Sequence, residues 1–314
     1  MKREVSVVGG GVWGKALART FAMNEEVLLY SLPDMPVDLK NPRVHVSYEI
    51  ESLKETKYLF LVIPADAVRK ACEDIKPILD DDCRIIICSK GMDSNSGLLM
   101  SEVVGEFFPK ENIAVLSGPN FASEVWKGLP TITSIVTEDI SMAETLAEKF
   151  TTDNFKLIPS TNLIMVQLFG TIKNVIAILC GASHGLELGE NLRAAIVSEG
   201  IKEIMKLAAH KNASNYSLVL EPAGIGDIFL TCSSTTSRNN KFGQDIVSKY
   251  IGKNYKEIFS LGNITVEGVS TILALKKWNF QSPLMEFAYD LISAKYKSKK
   301  EIADNLQRII FLEN

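Results

Sequence analysis

Val5-Ser6-Val7-Val8-Gly9-Gly10-Gly11-Val12-Trp13-Gly14 is a β-rich run that passes through a glycine turn into a helical stretch, Gly14–Met23. The pattern is G-x-G-x-x-G set between a strand and a helix. Each glycine has its own physical role. Gly9 permits a tight turn, Gly11 lets a pyrophosphate approach the backbone, and Gly14 lets the helix pack closely on the strand. The helix start adds free N–H groups and the positive end of its dipole. A glycine-rich turn alone says little. In this strand–turn–helix setting, Gly9, Gly11 and Gly14 read as a dinucleotide-binding element.

Outward from this stretch, short apolar runs alternate with helical ones. Strands are expected at Val27–Tyr30, Tyr58–Ile63, Arg84–Cys88, Ile113–Leu116 and Ile132–Val136, with helices at Asp66–Leu79 and Ser141–Phe150. Strands alternating with helices imply βαβ units and a parallel sheet. Continuous runs such as Ile85-Ile86-Ile87 suit strands covered on both faces. After Pro159 the pattern becomes helical throughout: Leu163–Ser183, Leu192–His210, Asn240–Lys249, Val269–Trp278, Pro283–Ala294 and an amphipathic C-terminal stretch. The expected organisation is an α/β N-terminal Rossmann-like domain with a mainly parallel sheet, residues 1–160, followed by an all-α substrate-binding and catalytic domain, residues 161–314. The crevice between such halves is where a ligand is expected.

Composition agrees. The 314 residues exceed the roughly 250–300 at which single cores stop growing. A hydrophobic content of 46% excludes a disordered chain. A net charge of −4 argues against a nucleic-acid partner but not against small anions held by local charge. Five scattered cysteines without a Cys-x-x-Cys pair, and no apolar leader at the N-terminus, lead us to expect a cytoplasmic protein. His45, His184 and His210 have no metal-ligand spacing, so no metal is expected. Leu163–Cys180 is apolar enough to suggest a membrane span, but Gln167, Lys173 and Asn174 interrupt it. A central lysine costs about 2.5–3.5 kcal/mol on insertion scales; a buried core helix is the better reading.

Lys173 is therefore conspicuous. Burial drives an ammonium towards neutrality, as general acid–base work requires; a snorkelling lysine or a structural ion pair would use the same position. Lys90 follows a strand at the sheet end where ligands bind, or is a solvated loop charge. Asp227 and Thr231 stand one helical turn apart and could orient a lysine or bind hydroxyls, although Asp227 could equally be an N-cap. Ser237-Arg238-Asn239 at a helix start suits a phosphate, and Gly118-Pro119-Asn120-Phe121-Ala122 offers a second turn before a helix. Asp34, about 20 residues past the fingerprint, has the spacing of a ribose ligand, and no basic residue follows the second strand; the cofactor expected is NAD(H) or NADP(H), with the balance towards NAD.

These segments, together with Lys15-Ala16-Leu17-Ala18, Val62-Ile63-Pro64, Ser89-Lys90-Gly91, Ile172-Lys173-Asn174-Val175-Ile176-Ala177 and Val266-Glu267-Gly268, occur in the order found in NAD(P)-dependent glycerol-3-phosphate dehydrogenases of bacterial type, which the chain resembles over nearly its whole length. The resemblance implies reversible reduction of dihydroxyacetone phosphate to sn-glycerol 3-phosphate, supplying glycerophospholipid synthesis, and a C-terminal domain like that of 6-phosphogluconate dehydrogenase. It implies a catalytic set of Lys173, Lys90, Asp227 and Thr231, with Lys173 as proton donor and acceptor and Lys90 touching both ligands. By the same carry-over, Gly118, Asn120, Asp227, Ser237, Arg238 and Asn239 meet substrate, and Val12, Trp13, Ala122, Arg238, Thr265 and Glu267 meet cofactor. Leu32 stands where the family often has Arg or His, Asn120 where Ser or Thr is common, His184 for Asp, and Ser198-Glu199 for Thr-Arg. The sequence leaves the assembly open; a homodimer is expected. Two other readings are a β-hydroxyacid-type dehydrogenase, which needs a carboxylate clamp instead of a phosphate site, and a dinucleotide sensor without chemistry, which has no use for a buried acid–base lysine.

Overall fold

The structure is a computed structural model that describes residues 4–213, 215–234, 236–261, 266–278 and 280–312. Eight strands, β1 (Val5–Val8), β2 (Val27–Tyr30), β3 (Val44–Ser47), β4 (Tyr58–Leu61), β5 (Arg84–Ile87), β6 (Ile113–Ser117), β7 (Thr131–Thr137) and β8 (Phe155–Thr161), form one sheet in the order β3-β2-β1-β4-β5-β6-β7-β8. All neighbours are parallel except β6 and β7. Helices α1 (Val12–Phe21), α2 (Ala65–Ile75), α3 (Met100–Val104), α4 (Ala122–Trp126) and α5 (Ile140–Phe150) connect the strands. The remainder is helical: α6 (Leu163–Gly185), α7 (Gly189–His210), α8 (Asp227–Ser233), α9 (Arg238–Lys249), α10 (Tyr255–Phe259), α11 (Glu267–Leu275), α12 (Pro283–Ile292) and α13 (Lys299–Leu312).

Two strands escape the sequence reading. β3 is as long as β1, β2, β4 and β5 but lacks their apolar run: only Val44 is buried, and the half-buried His45 bonds Glu26 at 2.8 Å. β8 contains Pro159, which cannot donate to a ladder; such a residue is tolerated at an edge, which is where β8 lies. The five-residue helices α3 and α4 are too brief to leave a helical period.

Strand alternation sends side chains to two cores. Val5, Val7, Leu29, Phe60 and Ile86 meet α1 and α5 on one face, where Phe21, Phe60 and Phe150 pack with ring centroids 4.6–5.0 Å apart. Leu28, Leu59, Leu61, Ile85 and Ile87 point to the other face, into a core continuous with α6 and the helices around it. Helix α6 is the one described helix long and apolar enough to cross a membrane, yet 94% of its most apolar window is buried. It is the central post of the helical part, with α7, α8, α9 and α11 packed against it. Burying each large apolar side chain stabilises by about 1.5–3 kcal/mol, so the post is rigid. That rigidity matters because α6 carries Lys173.

The chain leaves β1 towards β2 and β3, then returns to place β4 on the other side of β1. This reversal opens a crevice at the carboxyl ends of β1 and β4, the place where open α/β sheets bind ligands.

Candidate active site

At that crevice lies a cleft of about 650 Å³. Its walls are the β1–α1 turn (Gly11–Gly14), the segment after β4 (Val62–Asp66), the segment after β5 (Cys88–Met92), Asn120–Ala122 before and at α4, and Arg238, Glu267, Ser270 and Thr271 from the helical part.

The glycine turn has the geometry its spacing implies. Gly9 has φ +124°, a left-handed conformation that costs glycine little. A side chain at Gly14 would stand 1.8 Å from the Gly9 carbonyl oxygen, so α1 closes directly on its own turn. At Gly11 nothing lies within 4 Å of where a side chain would begin. The start of α1 has no side-chain cap and no acidic residue in its first turn. An open backbone in front of uncapped N–H groups fits a dinucleotide pyrophosphate. Gly14→Ala is expected to force α1 off the turn, destabilise the protein by about 1–3 kcal/mol and weaken dinucleotide affinity by about tenfold; thermal unfolding and a nucleotide fluorescence titration read both.

At the inner end of the cleft a charged cluster is assembled from both halves. Asp227, the first residue of α8, is 1% exposed, and its carboxylate bridges two lysines. Oδ1 accepts from Lys173 Nζ at 2.5 Å and Oδ2 from Lys90 Nζ at 2.9 Å. Lys173 also donates to Thr231 Oγ1 at 2.9 Å, and the Thr231 hydroxyl donates to the Asp227 carbonyl at 2.7 Å. Lys90 also donates to the Gly118 carbonyl at 3.4 Å. The Asp227 side chain thus serves the lysines rather than a cap.

Each ammonium has three N–H donors and uses two, which leaves one on each for a ligand. Two ammonium groups against one carboxylate leave one net positive charge in a buried place, suited to an oxygen that gains negative charge. Burial pulls the Lys173 ammonium from 10.5 to about 8; Asp227 opposes the fall and Lys90 reinforces it. Burial also works against the Lys90 ammonium, but the Asp227 contact outweighs it and holds Lys90 above its ordinary value. Burial would raise the Asp227 carboxyl, yet Lys173 and Lys90 keep it below the usual carboxylate range. Burial favours the loss of one proton from this pair of lysines, and Lys173, whose side chain is 7% exposed against 19% for Lys90, is the more deeply enclosed.

Nearer the mouth, Arg238 begins α9, 67% exposed, and its Nη2 donates to Glu267 Oε1 at 3.3 Å. Ser237 caps α9, accepting from Asn240 N at 3.3 Å. Asn239 is buried and donates to Asn174 Oδ1 at 3.0 Å while accepting from Gly268 N at 3.0 Å. Asn174 in turn reaches Glu267 Oε2 at 3.3 Å. The neighbour of Lys173 on α6 thus ties the starts of α9 and α11 together. In the sequence Asn174 reads only as an obstacle to membrane insertion; a second polar residue beside Lys173 in an apolar helix is the available signal. Asn120 lines the cleft, with Nδ2 3.4 Å from Thr133 Oγ1, and Ala122 opens α4 at the cleft wall. Asp34 and Leu32 are exposed in the loop after β2. Thr265 falls outside the described residues. Among the described residues no group of three potential metal ligands comes together.

Comparison with known proteins agrees with this geometry. Residues 32–143 match the N-terminal model of NAD-dependent glycerol-3-phosphate dehydrogenase, and residues 162–303 match its C-terminal model. Glycerol-3-phosphate dehydrogenase [NAD(P)+] of Zymomonas mobilis is 34% identical, covering 93% of this chain and 89% of its own. The enzyme of the same name from Nitratiruptor sp. is 35% identical, covering 93% and 94%. Among solved structures, the glycerol-3-phosphate dehydrogenase of Coxiella burnetii superposes with a TM-score of 0.83 at 26% identity, covering 99% of each chain.

Proposed function

The chain belongs to the NAD-dependent glycerol-3-phosphate dehydrogenase family, and from that premise we propose how its own residues divide the reaction. The protein reduces dihydroxyacetone phosphate reversibly to sn-glycerol 3-phosphate with NAD(P)H, a step that supplies glycerophospholipid synthesis. When bound, the nicotinamide supplies the hydride that reaches the substrate carbonyl carbon. Residues 1–160 hold the dinucleotide, through the backbone of Gly9, Gly11 and Gly14 and the surfaces of Val12, Trp13 and Ala122. Residues 161–314 present the acid–base group.

Lys173 gives its proton to the carbonyl oxygen in reduction and recovers one from the alcohol in oxidation. Asp227 and Thr231 fix the Lys173 ammonium so that its third N–H points to the substrate. Lys90 stays charged and steadies the oxygen as negative charge develops there. Arg238, at the start of α9 with Ser237 and Asn239 framing it, turns from Glu267 to the substrate phosphate; Gly118 and Asn120 close the opposite side. The carrying observation is the buried Asp227 carboxylate shared between Lys173 and Lys90 beside the glycine-turn cleft: it holds both ammonium groups in place while burial pulls Lys173 down to about 8.

The cofactor used is NADH in preference to NADPH. The loop after β2, residues 31–43, brings Asp34 and Asp38 before its first cation, Lys40, and Arg43 at its end donates to the Met23 carbonyl at 3.0 Å. Close to the strand end a ribose hydroxyl has Asp34 as a partner, whereas a 2′-phosphate has no adjacent cation. Initial rates with dihydroxyacetone phosphate should show kcat/KM at least about tenfold higher with NADH, a discrimination of about 1.4 kcal/mol; equal efficiency with NADPH would overturn the preference. Small 2- and 3-keto acids in the same assay distinguish a carboxylate-reading dehydrogenase, and tight NADH binding without oxidation of any ketone would point to a sensor. The five free, buried cysteines support a reducing, cytoplasmic setting. For the assembly we propose a homodimer, which light scattering tests directly.

A further inference from the structure

Asp227 is held by the lysines it serves, but something must also hold the segment that delivers it. That segment begins at Glu221. Its backbone N–H donates to the Leu218 carbonyl at 3.1 Å and its carbonyl accepts from Gly224 N at 3.0 Å, so it starts the wide turn Pro222–Gly226 that runs into α8. The turn is tightly folded. A side chain at Gly224 would overlap the Leu218 and Val219 carbonyl oxygens, at 2.2 and 2.4 Å, and one at Gly226 would rest on Pro119. A displacement at Glu221 therefore has little slack in which to dissipate before Asp227.

The Glu221 side chain crosses from the helical part to the sheet. Oε1 accepts from Ser160 Oγ at 2.6 Å and Oε2 from Ser134 Oγ at 3.3 Å. Ser134 lies on β7 and Ser160 on β8. Since Val136 pairs with Ser160 and Ser134 with Ile158, the two hydroxyls are diagonal neighbours on one sheet face. Both serines are buried, Ser134 completely. One carboxylate thus spans two strands with a hydrogen bond to each, and Ser134 also pairs with Ser117, the residue before Gly118. The β6–β7–β8 part of the sheet, whose β6 leads into the Gly118 carbonyl that Lys90 meets, thus also grips the start of the segment that carries Asp227.

We propose that Glu221 is a positioning residue for Asp227: by clamping Ser134 and Ser160 it sets the register between the sheet, which carries Lys90 and Gly118, and the helical part, which carries Lys173, Asp227 and Thr231. The proposal rests on the assignment of Asp227 and Lys173 given above. Glu221 touches neither lysine, so it acts through the turn. Its carboxylate serves as a double acceptor, not as a charge partner, and an amide of the same shape meets most of that need. The amide oxygen accepts from one serine, while its NH₂ donates to the other, whose hydroxyl turns to accept.

Four variants test this: Glu221→Ala, Glu221→Gln, Ser160→Ala and Asp227→Asn, each followed by steady-state kinetics across pH, NADH titration and thermal unfolding. Glu221→Ala should lower kcat by about tenfold or more, since displacements well under an ångström at reacting groups cost factors of that order. NADH affinity should stay within about twofold, because the nucleotide site is on the other side of the cleft. With Asp227 less closely held, Lys173 loses part of the contact that supports its charged form. The high-pH limb of the reduction profile should then move by about half a unit or more towards acid. Glu221→Gln should recover most of kcat and the original limb. Ser160→Ala should move both quantities in the same direction by a smaller amount, and it answers the question if Glu221→Ala does not fold. A lowered unfolding temperature with wild-type kcat and an unmoved limb would make Glu221 merely structural and overturn the proposal. Equal impairment in Glu221→Gln and Glu221→Ala would also overturn it. If Asp227→Asn keeps wild-type turnover, the assignment of Asp227 fails first, and the clamp has nothing to position.

Discussion

Lys173→Ala is expected to lower kcat for dihydroxyacetone phosphate reduction by about a thousandfold or more while leaving NADH binding within about twofold. The loss has two sources. Alanine removes the proton donor at the carbonyl oxygen, and it leaves the buried Asp227 facing only Lys90, which cancels the positive charge the cluster offers to that oxygen. NADH binding is spared because the glycine turn and Lys173 belong to different elements. Lys173→Arg is not expected to rescue turnover, since a guanidinium holds its proton and its planar fork does not fit a site bounded by Asp227 and Thr231. The pH dependence has a definite sign. Reduction needs the protonated ammonium, so kcat/KM should be flat below the Lys173 value of about 8 and fall as pH rises through it. Oxidation of glycerol 3-phosphate needs the free amine and should rise through the same range. Steady-state kinetics in both directions, with nucleotide fluorescence titration, checks these outcomes. A Lys173→Ala variant retaining more than about a tenth of wild-type kcat would remove Lys173 from the chemistry.

Lys173 is legible in the sequence because the chain breaks a rule there: an ammonium in the middle of an apolar helix is costly unless it is paired or used. Ion pair and acid–base use do not exclude each other there, since burial pulls the ammonium down while the pair with Asp227 holds back part of that fall. The glycine turn is legible because backbone sterics leave little choice of residue at Gly9 and Gly14. Asp227 is less so. Its spacing from Thr231 places both on one helical face, but spacing alone does not distinguish a cap from a lysine partner, since that partner lies 54 residues away in sequence. Glu221 leaves no local signal. Ser134 and Ser160 look like ordinary polar positions in β-rich segments, and β8 is hidden by Pro159. The general reason is that periodicity and turn chemistry act over a few residues, whereas this site is closed by contacts between residues from Lys90 to Glu267 that only the packing of α6 against the sheet and its neighbouring helices brings together.

Asp227→Asn is the second large effect, and it separates electrostatics from shape because the amide keeps the size of the carboxylate. In the native protein one buried carboxylate lies 2.5 Å from Lys173 and 2.9 Å from Lys90. Removing one partner of a buried ion pair costs about 3–5 kcal/mol, because the remaining charge is left without water or a counter-ion. Here two ammonium groups are left. The one already weakened by burial, Lys173, gives way first: without Asp227 its value falls from about 8 towards acid, so less of it is protonated at neutral pH and able to give up a proton. Reduction should lose about a hundredfold to a thousandfold in kcat at pH 7 and recover part of that loss as pH is lowered, with the high-pH limb displaced towards acid. This is the opposite of Lys173→Ala, for which lowering the pH restores nothing. Thermal stability should fall at neutral pH and rise again when inorganic phosphate is added, since an anion entering the cleft supplies the counter-charge that the substituted amide lacks. Asp227→Ala should share the kinetic defect and show a larger loss of stability, because it adds a cavity to the missing charge. If Asp227→Asn keeps both the wild-type turnover and the wild-type pH profile, the carboxylate shared between Lys173 and Lys90 is a structural pair, and the tuning of Lys173 must come from burial alone.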